Sequence, residues 1–559
     1  MNRIFFIADH FFSDGVLGGA EKCNDVLISE FFNKNYNDYK DYMFIAINSR
    51  NFKPQIVKKN LKSIFFVANF MELSEESKKC MIRNKVDYVI IEYDHKYLKS
   101  NNPGIYNNFL SNEEGLQNLE FFKKARAVLC QSTLHGKIIY KNLLLDNLVN
   151  LKGNLWSENE LSILQDTLDN SSDIENREID WAVLNTSNKN KGIPSTINYC
   201  IKKGLEYKLI GSSDFADFTK QIAMSKGVAF FPHWVDTFNR FIVETRILNC
   251  KAMVNKKVGC ASDGFLNLKG QELLDKVRKD KERIFQVYED LILSKDVEKF
   301  SIKLPRISII TTFVKAEIYL KDFLDSVVAQ TIFKEVDLIV YDAGSSGREQ
   351  QIMKEYCDKY SNIFHIRDEN KIGSSKAFNR LMDMSKNDFI SMISIDDRPA
   401  PDYADKMRKY LLFSNADLVY GDCVQTYEEN DKIDENFYNS DNLYEHSLND
   451  FSPENMIKSL PGPMPMFRKA MIIKNGGFDE NYKHCNDWEL WLRCVRGGSK
   501  FYKIHRRLGL YYFNPNGVTT SAEKFSSKIK EEARVFHEFK DVLGEENFNR
   551  FKDYFSQGL

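Results

Sequence analysis

Three acidic positions in the second half of this chain stand where chemistry could occur. In "NDFISMISIDDRPAP", residues 387–401, Asp396 and Asp397 sit side by side directly after an apolar, β-branched run. In "VDLIVYDAGSSG" a second such run ends at Asp342 and turns through Gly344, Ser345 and Ser346. In "HCNDWELWLR" a helix starting near Asn486 puts Asp487 in its first turn, with Trp488, Trp491 and Leu492 on one face that packs inward and would hold the carboxylate still. Ligands of open α/β sheets bind outside the carboxyl ends of the strands, so acids at these ends can meet in one crevice. Each position also has an ordinary structural account, because Asp, Gly and Ser are common in turns and Asp caps helices.

The elements that must position these acids follow a βα alternation. From "RISIITTF" the pattern runs through "VDLIVYDAGSS", "FISMISIDD" and "ADLVYGD" to about residue 520. The first half alternates in the same way, in two sets. "RIFFIAD", "YMFIAIN", "SIFFVAN", "VDYVIIEYD" and "ARAVLCQS" make one, and "DWAVLNTS", "YKLIGSS", "GVAFFPH" and "CKAMVNK" the other. Between the halves, Leu273, Val277, Ile284, Val287 and Leu291 recur at helical spacing, which predicts a closing helix followed by a linker. After Ser521, apolar stripes either side of Gly544 predict two helices that dock on the chain itself or offer a surface for a homo-oligomer.

With 559 residues, several cores are needed. Lys plus Arg at 78 and Asp plus Glu at 79 give a net charge of -1, which supplies no electrostatic reason for a nucleic-acid partner. The ten cysteines form no CxxC pair and no zinc spacing, and read as free thiols of a reducing compartment. No run of 18 apolar residues occurs, and "MNRIFFIADHFFSDG" is too polar for a signal peptide. The expected location is the cytoplasm, with peripheral contact at the inner face of a membrane left open.

Taken in order, "ISIITTFVKAEIYLKDFLDSVVAQT", "VDLIVYDAGSSG", "GSSKAFNRLMDMSKNDFISMISIDD", "ADLVYGD", "GGFDENYKHCNDWELWLR" and "GLYYFNPNGVTTS" resemble glycosyltransferase family 2. The resemblance implies a GT-A doubly wound mixed sheet and transfer of a sugar from a nucleotide sugar, with inversion, to a glycan or lipid-linked glycan acceptor in surface polysaccharide synthesis. It implies a divalent cation, Mg²⁺ or Mn²⁺, at Asp396, with Asp397 beside the donor. It places Asp342 and the backbone of Thr311, Thr312 and Phe313 around the nucleobase, and makes Asp487 the catalytic base. The chain departs from the family at Ser394, where Asp or Asn is usual, at Lys315 and Ala343, where Asn and Asp are common, at Asn486, where Glu is common, and at Asn514, near which relatives place a His.

In the first half, "FFPHWVDTFNRFIVETRILNCKAMVN" separates Asp236 from Glu244 by seven residues and resembles the Glu-x7-Glu region of GT-B glycosyltransferases of family 4. "GGAE", at Gly18 and Gly19, and "NKNKG", at Asn188 to Gly192, extend the match. The resemblance implies a pair of Rossmann-like domains in which Lys191, Arg240 and Glu244 bind a second donor. His95, after "VIIEYD", reads either as an acceptor contact or as a satisfied structural histidine. The expected domains are 1–148 and 149–300 for the two GT-B-like halves, 301–520 for the GT-A unit and 521–559 for a helical tail. Two functions compete: two active transferases in one chain, or one GT-A transferase with a degenerate first module that serves acceptor binding or assembly.

Overall fold

Fully buried β-branched and aromatic runs make parallel strands when helices cover both faces of the sheet, and the first half of the chain is composed in this way. A computed structural model describes residues 2–11, 18–36, 42–369, 372–434, 437, 445–446, 448–515, 517 and 525–556. The chain separates into two compact units, Met1–Ile302 and Lys303–Leu559. In the first, β1 (Asn2–Ala8), β2 (Tyr42–Asn48), β3 (Ile64–Ala68), β4 (Asp87–Ile91), β5 (Ala127–Cys130) and β6 (Leu148–Asn150) form a sheet of order β2-β1-β3-β4-β5-β6. A second sheet in the same unit contains β7 (Ile179–Leu184), β8 (Tyr207–Ile210), β9 (Ser225–Phe230) and β10 (Lys251–Val254) in the order β10-β9-β7-β8. All their pairings are parallel, so the unit is a pair of Rossmann-like sheets.

The helix Gly270–Ile292 ties these two sheets together. Leu273, Leu274 and Val277 pack into the core of the four-stranded sheet. Two turns later Ile284, Tyr288, Leu291 and Ile292 pack into that of the six-stranded sheet. Between the two groups, buried Lys281 reaches Glu30 at 2.5 Å and Glu158 at 2.6 Å. A helix covers two cores in succession when its apolar stripe is long enough, and here the stripe runs the whole length.

The second unit is a mixed sheet. Its strands are β11 (Ile307–Phe313), β12 (Val336–Asp342), β13 (Ile363–Arg367), β14 (Phe389–Met392), β15 (Arg398–Pro399), β16 (Leu418–Thr426), β17 (Glu445–His446), β18 (Met466–Arg468) and β19 (Phe501–Tyr512). They run in the order β13-β12-β11-β14-β18-β16-β19-β15, with β17 beside β16. The first four neighbours are parallel, and β18 runs antiparallel to both β14 and β16. β14 stops at Met392, short of the full "FISMISIDD" run, and the chain then turns, with Asp397 N–H donating to the Ser394 carbonyl at 3.2 Å.

Phe525–Glu538, Lys540–Leu543 and Glu545–Phe555 are the C-terminal helices. They spend their apolar stripes on their own unit: Val535, Phe536, Phe539 and Leu543 share a core with Trp488 and Trp491. Phe536 stacks on Phe555 with ring centres 4.3 Å apart. Residues 521–524, the start of the expected tail, lie outside the described residues. Among the described residues no helix is long and apolar enough to cross a membrane.

Removing a buried branched side chain from the tying helix should loosen the first unit. Ile284→Ala is expected to cost about 2–5 kcal/mol, read as a lower melting transition in calorimetry, while Lys279→Ala on the exposed face stays within about 0.5 kcal/mol of the parent. Equal effects of the two substitutions would contradict the packing described.

Candidate active site

In parallel strands the register decides which side chains line the carboxyl edge. Phe313, Asp342 and Arg367 are register partners across β11, β12 and β13, and Thr311 is two residues back in the same ladder, level with Val340 and His365. The Ser345 N–H donates to Asp342 Oδ1 at 2.8 Å, and the turn that carries it needs Gly344, whose φ of +77° is left-handed. Asp342 Oδ2 is buried with no hydrogen-bond partner, as are Thr311 Oγ1 and His365 Nε2. Arg367 Nε lies 3.5 Å and His365 Nε2 3.7 Å from that oxygen. Burial pushes the His365 imidazole below the usual histidine value, toward its neutral form, against the pull of Asp342. Sequence reasoning did not single out His365 and Arg367. The signal was their i, i+2 spacing in "NIFHIRDEN", which puts both on one face of a short strand.

Asp396 and Asp397 lie just past β14, on the other side of β11. Asp397 is buried, and its Oδ1 accepts the Tyr512 N–H at the end of β19 at 3.1 Å. Burial, then the neighbouring Asp396 charge, push its pKa well above the usual carboxylate range. Asp396 is half-buried, and the Asn514 amide donates to its Oδ2 at 2.9 Å. Asn514 is thus a direct partner of the first acid.

Asp487 opens the helix Asn486–Arg496. Trp488, Trp491 and Leu492 are all buried, and the Trp488 indole donates to the Met456 carbonyl at 2.7 Å, which locks the helix. Asp487 Oδ2 accepts from Ser459 Oγ at 2.8 Å and Oδ1 from the Trp488 N–H at 2.7 Å. Burial raises the Asp487 pKa, and these hydrogen bonds moderate the rise. Asn486 Nδ2 donates to Ser375 Oγ at 3.0 Å, at the start of the helix Ser374–Met384 that follows β13. Ser459 belongs to the loop that enters β18 beside the carboxyl end of β14, where Met392 N–H donates to the Pro465 carbonyl at 3.3 Å. Asp342 ends β12 and Asp396 follows β14 at the carboxyl edge of this sheet, while Asp487 stands on a helix tied to that region through Ser459 and Asn486.

Among the described residues no three His, Cys, Asp or Glu side chains cluster as a metal site. What stands past β14 is one half-buried carboxylate beside a buried one. Mg²⁺ is commonly held by one or two carboxylates with substrate phosphates, and carboxylates also suit Mn²⁺. The donor set fits such an ion when a diphosphate completes the coordination, and it does not make an all-protein cage.

The first unit has its own cleft, enclosing about 340 Å³ at the carboxyl ends of both sheets, with Asp94, Lys96, Lys191, Trp234 and Asp236 in its lining. Lys191 Nζ is bound to Asp236 Oδ2 at 2.7 Å. Arg240 and Glu244 are not in the lining. They are turned into the core, Arg240 lying 2.6 Å from Glu160 and Glu244 accepting from the Trp156 indole at 2.9 Å. His95 is buried, with Nδ1 3.0 Å from Tyr97 Oη, and burial pushes its pKa well below the histidine value.

Residues 308–476 match the family described as "Glycosyl transferase family 2". An uncharacterized glycosyltransferase of Methanocaldococcus jannaschii is 26% identical over 230 residues, 41% of this chain and 76% of that protein. An uncharacterized glycosyltransferase of Rickettsia typhi is 27% identical over 35% of this chain and 61% of its own length. Glycosyltransferase GlyA of Streptococcus pneumoniae is 28% identical over 21% of this chain, which spans only 16% of that protein. Among solved structures, S. aureus TarS is 16% identical with a TM-score of 0.34, over 44% of this chain and 43% of that one. The mannosyltransferase PcManGT of Pyrobaculum calidifontis, solved with GDP-Man and Mn²⁺, is 13% identical with a TM-score of 0.34, over 47% of this chain and 76% of that one. The matched segment is a glycosyltransferase domain, and the chain that carries it is an enzyme of that class.

The state of Asp397 can be checked directly. Its raised pKa means that folding is favoured by the proton, a contribution complete below the ordinary carboxylate range and lost as pH rises through the raised value. Asp397→Asn keeps an acceptor for the Tyr512 N–H and carries no charge. Its unfolding free energy should equal or exceed the parent's at neutral pH, and the difference should vanish as the pH falls to the ordinary carboxylate range. Asp397→Leu leaves that N–H unpaired and should cost about 1–3 kcal/mol. Denaturant titrations across pH measure both.

Proposed function

We propose that the second unit transfers a sugar from a nucleotide sugar to a hydroxyl of a glycan or lipid-linked glycan acceptor, with inversion at the anomeric carbon. One observation carries this reading. Inside the segment that matches glycosyl transferase family 2, Asp342 Oδ2, Thr311 Oγ1 and His365 Nε2 are buried without a hydrogen bond near the ends of neighbouring strands, Asp342 being met only by Arg367 and His365 at 3.5 and 3.7 Å. A buried polar atom without a partner costs about 1–3 kcal/mol, and the N–H and C=O groups of a nucleobase supply the partners. Phe313 continues the face of β11 that carries Thr311, and Thr312 turns to the other face, so only its backbone joins this wall.

Asp396 would hold a divalent cation, Mg²⁺ or Mn²⁺, which when bound neutralises the departing diphosphate. Asp397 fixes the end of β19 through the Tyr512 N–H and so keeps Asn514 against Asp396. Asp487 takes the proton of the acceptor hydroxyl as its oxygen bonds to the anomeric carbon. The bond from that carbon to the diphosphate oxygen breaks on the opposite face, which inverts the centre. Burial makes Asp487 a stronger base than an exposed carboxylate, and the hydrogen bonds from Ser459 and Trp488 hold it in place.

The sequence also suggested a second donor site at Lys191, Arg240 and Glu244. In our reading that role gives way to a structural one, because Lys191 is neutralised by Asp236, and Arg240 and Glu244 are held inside by Glu160 and Trp156. The favoured arrangement is one transferase with a first unit that serves the acceptor, which keeps the acceptor near the reaction by effective concentration. All ten cysteines are unpaired, which fits a cytoplasmic enzyme of surface-glycan synthesis.

Asp487→Asn is expected to lower kcat by about 10²–10⁴-fold while donor binding, measured by calorimetry with nucleotide sugars, stays at the parent value. The acid limb of the parent's pH–rate profile should lie above the ordinary carboxylate range, since the base must be deprotonated to work and its pKa is raised. Parent-like turnover in the Asn variant would remove Asp487 from the chemistry. Asp396→Ala should abolish the Mg²⁺ or Mn²⁺ dependence of donor binding, and an unchanged metal titration would sink that assignment.

A further inference from the structure

The cleft of the first unit is polar, and the lysines in its lining are neutralised. Its two lysines are each bound to an aspartate, Lys96 to Asp94 at 2.8 Å and Lys191 to Asp236 at 2.7 Å. Lys96 also lies 3.4 Å from buried Glu92, so neither lysine of the lining is left over for a diphosphate. A doubly charged phosphate group brought here would meet carboxylates and lose its water without compensation.

We propose that this cleft binds a short stretch of uncharged saccharide, and not a nucleotide sugar. A neutral polyhydroxylated ring needs fixed acceptors and donors at its rim and an apolar plane against its C–H face, and the cleft offers both. Each aspartate is pinned through Oδ2, Asp94 by Lys96 and Asp236 by Lys191 and Asn239 (2.9 Å), while Oδ1 of each has no partner among the described residues. Asn101 Oδ1, on the same wall, is shielded from water and unpartnered. The half-buried Trp234 supplies the plane, and its indole N–H likewise has no partner among the described residues.

These groups are preorganised. Asn190 accepts through its carbonyl from the His233 N–H at 3.0 Å and the Trp234 N–H at 3.3 Å, which welds the turn after β7 to the turn after β9. Gly192 makes the weld possible: its φ is +67°, and a Cβ there would stand 2.2 Å from the Phe231 carbonyl oxygen. A ligand that finds its partners already in place loses little in ordering them. At about 340 Å³ the space is at the small end of ligand clefts, which suits a short piece of a longer glycan lying across it.

The inference stands on the first unit alone, so its fate is independent of whether the second unit transfers sugar. The test uses the full-length chain on an array of neutral di- to tetrasaccharides, with saturation-transfer NMR for positives and with UDP, GDP and dTDP as charged comparators. Expected is binding of at least one neutral saccharide that persists at high salt, weakens about tenfold or more in Trp234→Ala and recovers in Trp234→Phe. Asp396→Ala should leave it unchanged. No neutral saccharide bound by the intact chain would overturn the proposal. So would saccharide binding that survives Trp234→Ala, or UDP, GDP or dTDP binding in the Asp396→Ala chain that is lost on adding Lys191→Ala.

Discussion

The pairing of β12 with β11 on one side and β13 on the other is the constraint on which the second unit depends. Parallel strands advance together, so a single register brings Phe313, Asp342 and Arg367 level at one edge. A slip by one residue would turn Asp342 to the opposite face and place Tyr341 at the end of the row. The register is held by the fully buried Ile307, Ile309, Leu338 and Val340, whose removal from water stabilises only this alignment. A carboxylate oxygen of Asp342 that makes no hydrogen bond, with Arg367 and His365 only at 3.5 and 3.7 Å, survives at the edge because the packed sheet gives it no freedom to turn toward water. The cost is met by the rest of the core and is recovered when a ligand supplies the missing donor.

The same logic separates the two units. Both units bury polar atoms without a hydrogen bond, Thr311 Oγ1 and Asp342 Oδ2 in the second and Asn101 Oδ1 in the first, and the difference lies in the charges. In the first, the charged residues that a donor would need have been spent on one another, at Lys191 with Asp236 and at Arg240 with Glu160. Electrostatics decides this more than shape does. Two Rossmann-like sheets with a cleft between their carboxyl ends can serve any ligand class, and only the free or satisfied state of the side chains distinguishes a diphosphate from a neutral sugar.

Much of the fold was legible in the sequence. The strand-like runs of the first half and those from "RISIITTF" to "ADLVYGD" are strands, because long β-branched and aromatic runs with polar breaks admit little else. β6, β13 and β18 were not read, being only 3–5 residues long and without alternation. Their pairing depends on neighbours distant in the chain. The tail helices were legible as stripes, but that they dock on Trp488 and Trp491 is a fact of packing.

At the sites, the residue types alone pointed to Asp342, Asp396, Asp397 and Asp487 as acids at the ends of elements, since a carboxylate after an apolar run has few places to go. The structure added His365 and Arg367, from a strand 20 or more positions beyond Asp342, and joined Asn514 to Asp396, because contacts between residues far apart in the chain leave no local signature. Conversely, the spacing of Asp236 and Glu244 suggested a donor contact that only the fold could test. Helical periodicity puts Arg240 and Glu244 on one face, but which way that face turns is set by what packs against it, and Trp156 and Glu160 drew it inward. The sequence by itself determined which segments are strands and helices and where the acids lie along them. Tertiary structure alone decided which charges remain unpaired, because pairing is a property of neighbours in space.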